Sequence, residues 1–173
     1  MYPKEYIEFL IHYHGDRDYF ECHEILEEYW KRVEPNNKQS IWVGLILLAV
    51  SNYHHRREND RGAKRTLSKS IFILKKEKAK LLDLGLDSEK LLNDLLLMQA
   101  DISSGRKYSS YTLPIVDQSL ISLCKERCLH HGFEWCTDSD LERTELVHRH
   151  SLRDRSMVIQ ERLEALNKNT WIQ

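Results

Sequence analysis

The sequence is poor in residues that interrupt helices, because it has only 6 glycines and 3 prolines among its 173 residues. Its 4 cysteines are also too sparse for a small fold held together by disulfide bonds. The 26 basic side chains are balanced by 27 acidic ones, so the sequence lacks the basic surface that nucleic-acid binding usually requires. These shortages exclude a disulfide scaffold and argue against a nucleic-acid partner.

Long apolar segments are missing as well. The longest apolar run, residues 41–50, has about half the length that a bilayer-spanning helix needs. The N-terminal stretch MYPKEYIEFL carries acidic side chains among its apolar ones, which is not typical of a signal peptide. We therefore expect no membrane partner and a cytoplasmic location.

Helix-forming side chains are abundant by contrast, since hydrophobic residues make up 41% of the chain and charged residues 31%. Apolar residues recur with helical spacing, and polar capping residues precede most of these segments. The pattern predicts an all-α fold, a single bundle or array of about six to seven helices. We place the helices at about residues 3–14, 18–34, 38–57, 59–85, 87–104, 117–131 and 139–167. The third is apolar on every side at first, so we expect it at the centre.

The C-terminal part of the chain differs in composition from the rest. We assign residues 1–135 to a helical domain and residues 136–173 to a C-terminal helical extension. In the extension, Leu152, Ile159 and Leu163 form only a thin apolar stripe between charged side chains of both signs. Such a stripe predicts a shallowly docked helix that mediates self-association, as in a homodimer, or binds a protein partner. A helix that simply lies on its own domain is the equal alternative.

The second predicted helix carries two polar side chains, His23 and Glu27, on its apolar face. They are four residues apart and share one face of the helix, a spacing that can chelate a divalent metal ion. His54, at the polar end of the central helix, is a candidate further ligand. At 1.5 Å per residue it lies about 25 Å from the turn near Pro35, whereas His23 and Glu27 lie about 12–18 Å from that turn. Joining these groups requires a tilt or an extension of the second helix.

The same pair has a purely structural interpretation. In this alternative, His23 donates a hydrogen bond to Glu27 inside the core, and Trp30 packs over both side chains. The protein is then a helical interaction or structural module. If it is instead an enzyme, the least strained reaction class is a hydrolase or hydratase that uses a metal-bound water, with Glu24 or Glu27 as the base.

A second group of potential metal ligands lies near the end of the sixth predicted helix. It consists of Cys124, Cys128, His131 and Cys136. Zinc favours such ligands, but the first two cysteines are one helical turn apart rather than in the Cys-x-x-Cys spacing of zinc knuckles. Buried free thiols are the simpler interpretation of this group.

Three segments of the chain resemble the bacterial and archaeal family known as domain of unknown function 309. They are YFECHEILEEYW at residues 19–30, GLILLAVSNYHHRREN at residues 44–59 and RGAKRTLSKS at residues 61–70. The His-x-x-x-Glu-x-x-Trp/Tyr signature of that family is matched by His23, Glu27 and Trp30. The resemblance extends over about residues 15–74.

This resemblance implies an all-helical fold and a functional role for the signature, for which metal binding is the proposed chemistry. No biochemical activity is established for the family. The resemblance implies that His23, Glu27 and Trp30 are candidate functional residues. It supports His54 and Asn59 as candidates more weakly. We therefore expect a small helical protein that binds a divalent metal ion or a small ligand at this face, with His23 and Glu27 as the metal ligands.

The chain departs from the family pattern at two positions. A glutamine is common in the family where Leu47 stands, and a glycine where Glu58 stands. Leu47 makes the surroundings of the signature more apolar. This departure weighs against a mechanism that needs a full set of polar groups there.

Overall fold

The computed structural model describes residues 1–152 and residue 160. Over these residues the chain forms helices packed in an array and no β-strand, so the all-α prediction is confirmed. The helices are α1 (Lys4–His14), α2 (Tyr19–Val33), α3 (Ile41–Arg56), α4 (Asp60–Lys76), α5 (Lys78–Asp83), α6 (Ser88–Ser103), α7 (Gln118–His130), α8 (Thr144–Val147) and α9 (Arg149–Leu152). None of the helices in these residues is both long and apolar enough to cross a membrane.

Helix α3 is the central helix, as its uniformly apolar sequence predicts. Most of its 16 residues are buried, and it packs against both α2 and α4. Gly44 permits the close approach of α4, because a Cβ atom at this position would lie 2.6 Å from Leu74 Cδ2. Across the same contact, the Ser70 hydroxyl donates a hydrogen bond of 2.7 Å to the carbonyl of Gly44. The core therefore centres on the contact between α3 and α4.

Four predicted capping residues begin helices in the structure. The side-chain oxygens of Asp18, Asn59, Asp87 and Asp117 each accept a hydrogen bond from a backbone N–H in the first turn of the helix that follows. Each bond satisfies a donor that the helix itself leaves unpaired. The central helix starts later than predicted, because the hydroxyl of Ser40 caps its first turn.

The prediction of a single helix over residues 59–85 is wrong, because the helix is interrupted at Glu77. This residue has φ −101° and ψ 25°, and its N–H bonds to the carbonyls of both Ile73 and Leu74 as α4 ends. The chain then changes direction into α5, where Leu81 is completely buried. Burial of this leucine against the core favours the break over a straight continuation.

The prediction of one long helix from residue 139 is wrong for its first residues, because residues 139–143 are not helical. The Asp140 carboxylate accepts a hydrogen bond of 3.0 Å from the N–H of Glu142, within a turn that precedes α8. The short helices α8 and α9 follow, and Leu146 of α8 is buried. Residues 153–159 and 161–167 of the predicted helix lie outside the described residues. Self-association or partner binding through this region stays a prediction, as does the division of the chain into two regions.

Two buried arginines connect the C-terminal residues to the rest of the fold. The Arg17 Nε–H donates a hydrogen bond of 2.8 Å to the Thr137 carbonyl. Arg56 donates from Nη1 to the Arg17 carbonyl at 2.7 Å and to Ser139 Oγ at 3.1 Å. Its guanidinium also lies 4.6 Å from the centre of the Tyr19 ring. Hydrogen bonds from charged donors are stronger than neutral ones, so they hold the chain after α7 against α2 and α3.

Candidate metal- and ligand-binding site

The side chains of His23, Glu24 and Glu27 converge at the edge of α2. One potential ligand atom from each lies within 4.8 Å of the others, and no other three His, Cys, Asp or Glu side chains in the described part of the chain meet so closely. The buried face of α2 is centred on Cys22 and Leu26, so His23 lies at its border and stays accessible. The histidine side chain is 29% exposed and each glutamate 34%.

The contacts of His23 decide which ring nitrogen is available to a metal. Nδ1 lies 3.0 Å from Glu24 Oε1, a hydrogen-bond distance that assigns the proton to Nδ1. Nε2 then carries the lone pair, and it lies 3.8 Å from Glu27 Oε2, which is too far for a hydrogen bond. The other oxygen of Glu27 is 3.2 Å from Lys31 Nζ. His23 and Glu27 thus present two lone-pair donors to the same region of space.

The interpretation of His23 and Glu27 as a buried structural pair is wrong. Their side chains are 29% and 34% exposed, and no hydrogen bond joins them at 3.8 Å. The Trp30 indole N–H donates a hydrogen bond of 3.0 Å to the carbonyl of Asn37 in the turn after α2. The signature tryptophan therefore stabilises the connection to α3 and is not among the converging groups.

A cavity of about 170 Å³ lies beside His23, and the C-terminal part of α3 forms its opposite side. His54 also lines this cavity, so the structure brings together two of the predicted site residues, whereas Glu27 is not among the lining residues. Arg57 and His150 line the cavity too, and the sequence analysis missed both. The spacing of His54 and Arg57, three residues apart at the end of one helix, was an available signal. His150 gave none, since it lies far away in the chain.

Asn59 does not line the cavity, but it determines the orientation of His54. Its Oδ1 accepts a hydrogen bond of 3.0 Å from the Gly62 N–H, which leaves its amide nitrogen 3.0 Å from His54 Nδ1. Nδ1 must therefore be the acceptor, and the proton lies on Nε2. Burial lowers the pKa of His54, and the charges of Arg57 and Arg65 lower it further. His54 consequently offers an N–H donor rather than a metal-binding lone pair.

The second predicted group of ligands is not brought together in the part of the chain that the structure describes. Cys124 and Cys128 are completely buried on α7. Burial raises the pKa of their thiols to about 12 and about 11, which keeps both protonated. His131 Nε2 instead lies 3.5 Å from Glu8 Oε2. These cysteines contribute to the core, as the simpler interpretation predicted.

The structure thus defines an all-helical protein with a partly exposed histidine–carboxylate group beside a small aromatic cavity. The chain belongs to the family described as domain of unknown function (DUF309), whose model matches residues 6–66. It is also 45% identical over 168 residues to the uncharacterized protein YpuF of Bacillus subtilis (strain 168), with 97% of each chain covered. No solved structure matches the chain. The resemblance predicted from the signature is confirmed.

Proposed function

We propose that the protein binds a divalent metal ion at the edge of α2, with His23 Nε2 and Glu27 as its protein ligands. The observation that carries the proposal is the orientation of His23, whose Nδ1 is 3.0 Å from Glu24 Oε1 while Nε2 is directed to Glu27. Metal-binding histidines commonly have their second nitrogen held by a carboxylate in this way. An imidazole with a carboxylate suits zinc, manganese or ferrous iron.

The distance between the two ligand atoms supports this proposal. Two atoms bound at about 2.1 Å to a tetrahedral ion lie about 3.4 Å apart. His23 Nε2 and Glu27 Oε2 are 3.8 Å apart, so a small rotation of the glutamate side chain is enough. The competing cation on Glu27 is Lys31, which is 63% exposed and therefore held weakly in place.

Only two protein ligands leave several coordination positions for water or for a bound substrate. Closed sites with four protein ligands stabilise folds, whereas open sites activate water or orient a ligand. We therefore assign the ion a role in binding a further small molecule. If the protein is an enzyme, the metal-bound water would act in a hydrolase or hydratase reaction.

Thermal unfolding of protein without a histidine tag tests the proposal. We expect zinc, manganese or ferrous iron to raise the Tm relative to EDTA. At a free metal concentration of 100 times Kd, the free energy of unfolding rises by about 2.7 kcal/mol, or about 5–10 °C in Tm for a chain of this length. His23→Gln should abolish the shift without unfolding the protein. The matched control is His130→Gln, which changes an exposed histidine on α7.

A further variant separates ligation from orientation. Glu24→Ala keeps both ligands but removes the acceptor that holds His23, so it should weaken metal binding by roughly 10–100-fold rather than abolish it. Equal Tm values with EDTA and with each metal would refute the proposal. A shift that persists in His23→Gln would place the metal elsewhere.

A further inference from the structure

The cavity beside His23 has aromatic walls. Tyr19 and Phe20 of α2 and Tyr53 of α3 line it, and each of these side chains is at most 9% exposed. These side chains are packed in the fold, so the walls are formed before any ligand arrives. Aromatic and aliphatic walls of this kind bind the apolar part of a small molecule. A fully hydrated ion would gain little from them.

His54 provides a hydrogen-bond donor at this cavity. Its tautomer is set by the backbone of α4, because Gly62 orients Asn59 and Asn59 occupies Nδ1. A Cβ atom at position 62 would lie 2.6 Å from Asn59 Nδ2 and 3.0 Å from His54 Cγ, so this arrangement requires glycine. The Nε2–H has no hydrogen-bond partner among the described residues. It is therefore available to an acceptor on a ligand.

Arg57 supplies the positive charge. Its Nε–H donates a hydrogen bond of 3.2 Å to His148 Nδ1, and its Nη1 donates one of 3.2 Å to the Tyr53 hydroxyl. The guanidinium lies 5.2 Å from the centre of the Tyr53 ring. These contacts hold the group in one orientation, and Nη2 has no partner within the described residues. A pre-oriented guanidinium of this kind suits a carboxylate.

No carboxylate is found among the lining residues that the structure describes, and the two other polar side chains that line the cavity are His23 and His150. The carboxylates of Glu24 and Glu27 lie behind His23, on the α2 side. At the α3 side, an anionic ligand would therefore meet the donors of His54 and Arg57. A cationic ligand would have no counter-charge here.

We propose that this cavity binds a small carboxylate with an aromatic or compact apolar body. The carboxylate accepts from His54 Nε2–H and Arg57, and the apolar part contacts Phe20 and Tyr53. Drug-sized sites measure about 300–1,000 Å³. The 170 Å³ of this cavity limits the body to about one ring. The inference goes beyond the metal proposal, and the two sites share only His23.

Benzoate is the probe that tests this inference, titrated into the full chain in the presence of EDTA and followed by calorimetry. His54→Leu and Arg57→Gln should each weaken benzoate binding by at least about tenfold, because each removes a charge-assisted hydrogen bond. The matched controls are His130→Leu and Arg61→Gln, which change exposed residues on α7 and α4 and should leave the Kd unchanged. Benzyl alcohol, which lacks the charge, should bind much more weakly than benzoate.

Glu27→Gln separates the two proposals, since it removes a metal ligand that does not line the cavity. We expect this variant to lose metal binding and to keep benzoate binding. Should His54→Leu fail to fold, the Nε2–H resonance of His54 in the unaltered protein must still shift when benzoate is added. The inference is overturned if benzoate does not bind, if neither variant changes its Kd, if benzyl alcohol binds equally well, or if inorganic phosphate binds more tightly.

Discussion

Acid should destabilise this protein through His14, which is completely buried at the end of α1. Its Nδ1–H donates a hydrogen bond of 2.9 Å to the Leu10 carbonyl, and its Nε2 accepts one of 3.0 Å from the Leu113 N–H. Both ring nitrogens are thereby occupied in the neutral form. Burial, together with the nearby charge of Arg17, lowers the pKa of His14 from 6.5 to about 3.

The size of the effect follows from the difference in pKa between the folded and unfolded states. Well above pH 6.5 the imidazole is neutral in both states, so His14 contributes no pH dependence there. As the pH falls from 6.5 towards 3, the unfolded chain takes up a proton that the folded protein does not. The free energy of unfolding then decreases by about 1.4 kcal/mol per pH unit. At pH 5 this single group removes about 2 kcal/mol of stability.

Urea unfolding at pH 8 and pH 5 measures this contribution. We expect the loss of stability between the two pH values to be about 2 kcal/mol smaller in His14→Gln than in the unaltered protein, because glutamine does not titrate. The exposed control His130→Gln should behave like the unaltered protein. Equal losses in His14→Gln and the unaltered protein would refute the reasoning.

Two further predictions concern the central helix and the cavity. Gly44→Ala should lower the free energy of unfolding by about 1–3 kcal/mol in urea titrations, because its Cβ would overlap Leu74 Cδ2. The penalty should shrink in a Leu74→Ala background, and an equal penalty there would contradict the assigned contact. Asn59→Asp should keep the helix cap but raise the pKa of His54 and move its proton to Nδ1, as measured from the ¹⁵N shifts of the ring. An unchanged tautomer would show that Asn59 does not orient His54.

Helix starts and the central helix could be predicted from the sequence because they depend on short-range physics. Asp18, Asp87 and Asp117 cap helices through backbone N–H groups two or three residues away, so the signal and its effect lie in one short segment. The uniformly apolar run of α3 likewise excludes a surface position. The family resemblance added the signature residues, among which His23 and Glu27 share a face by helical spacing alone.

The break at Glu77 and the turn before α8 could not be predicted in the same way. No glycine or proline marks either position, and local preference favours a continued helix. The chain turns at Glu77 because Leu81 is buried against the core. It also turns after α7, where Arg17 and Arg56 bind Thr137 and Ser139. Such contacts join residues more than 80 positions apart.

The candidate site shows the same division between local and tertiary causes. Helical spacing determined that His23 and Glu27 lie together, but the sequence pattern placed them in the core, and packing decided that their side chains stay about a third exposed. Axial distances along two helices indicated that His54 could meet His23 only if the second helix tilts or extends, and both line one cavity in the folded protein. A residue's neighbours within one helix follow from its sequence position. Its neighbours across helices follow from how the helices pack, and that depends on the whole core.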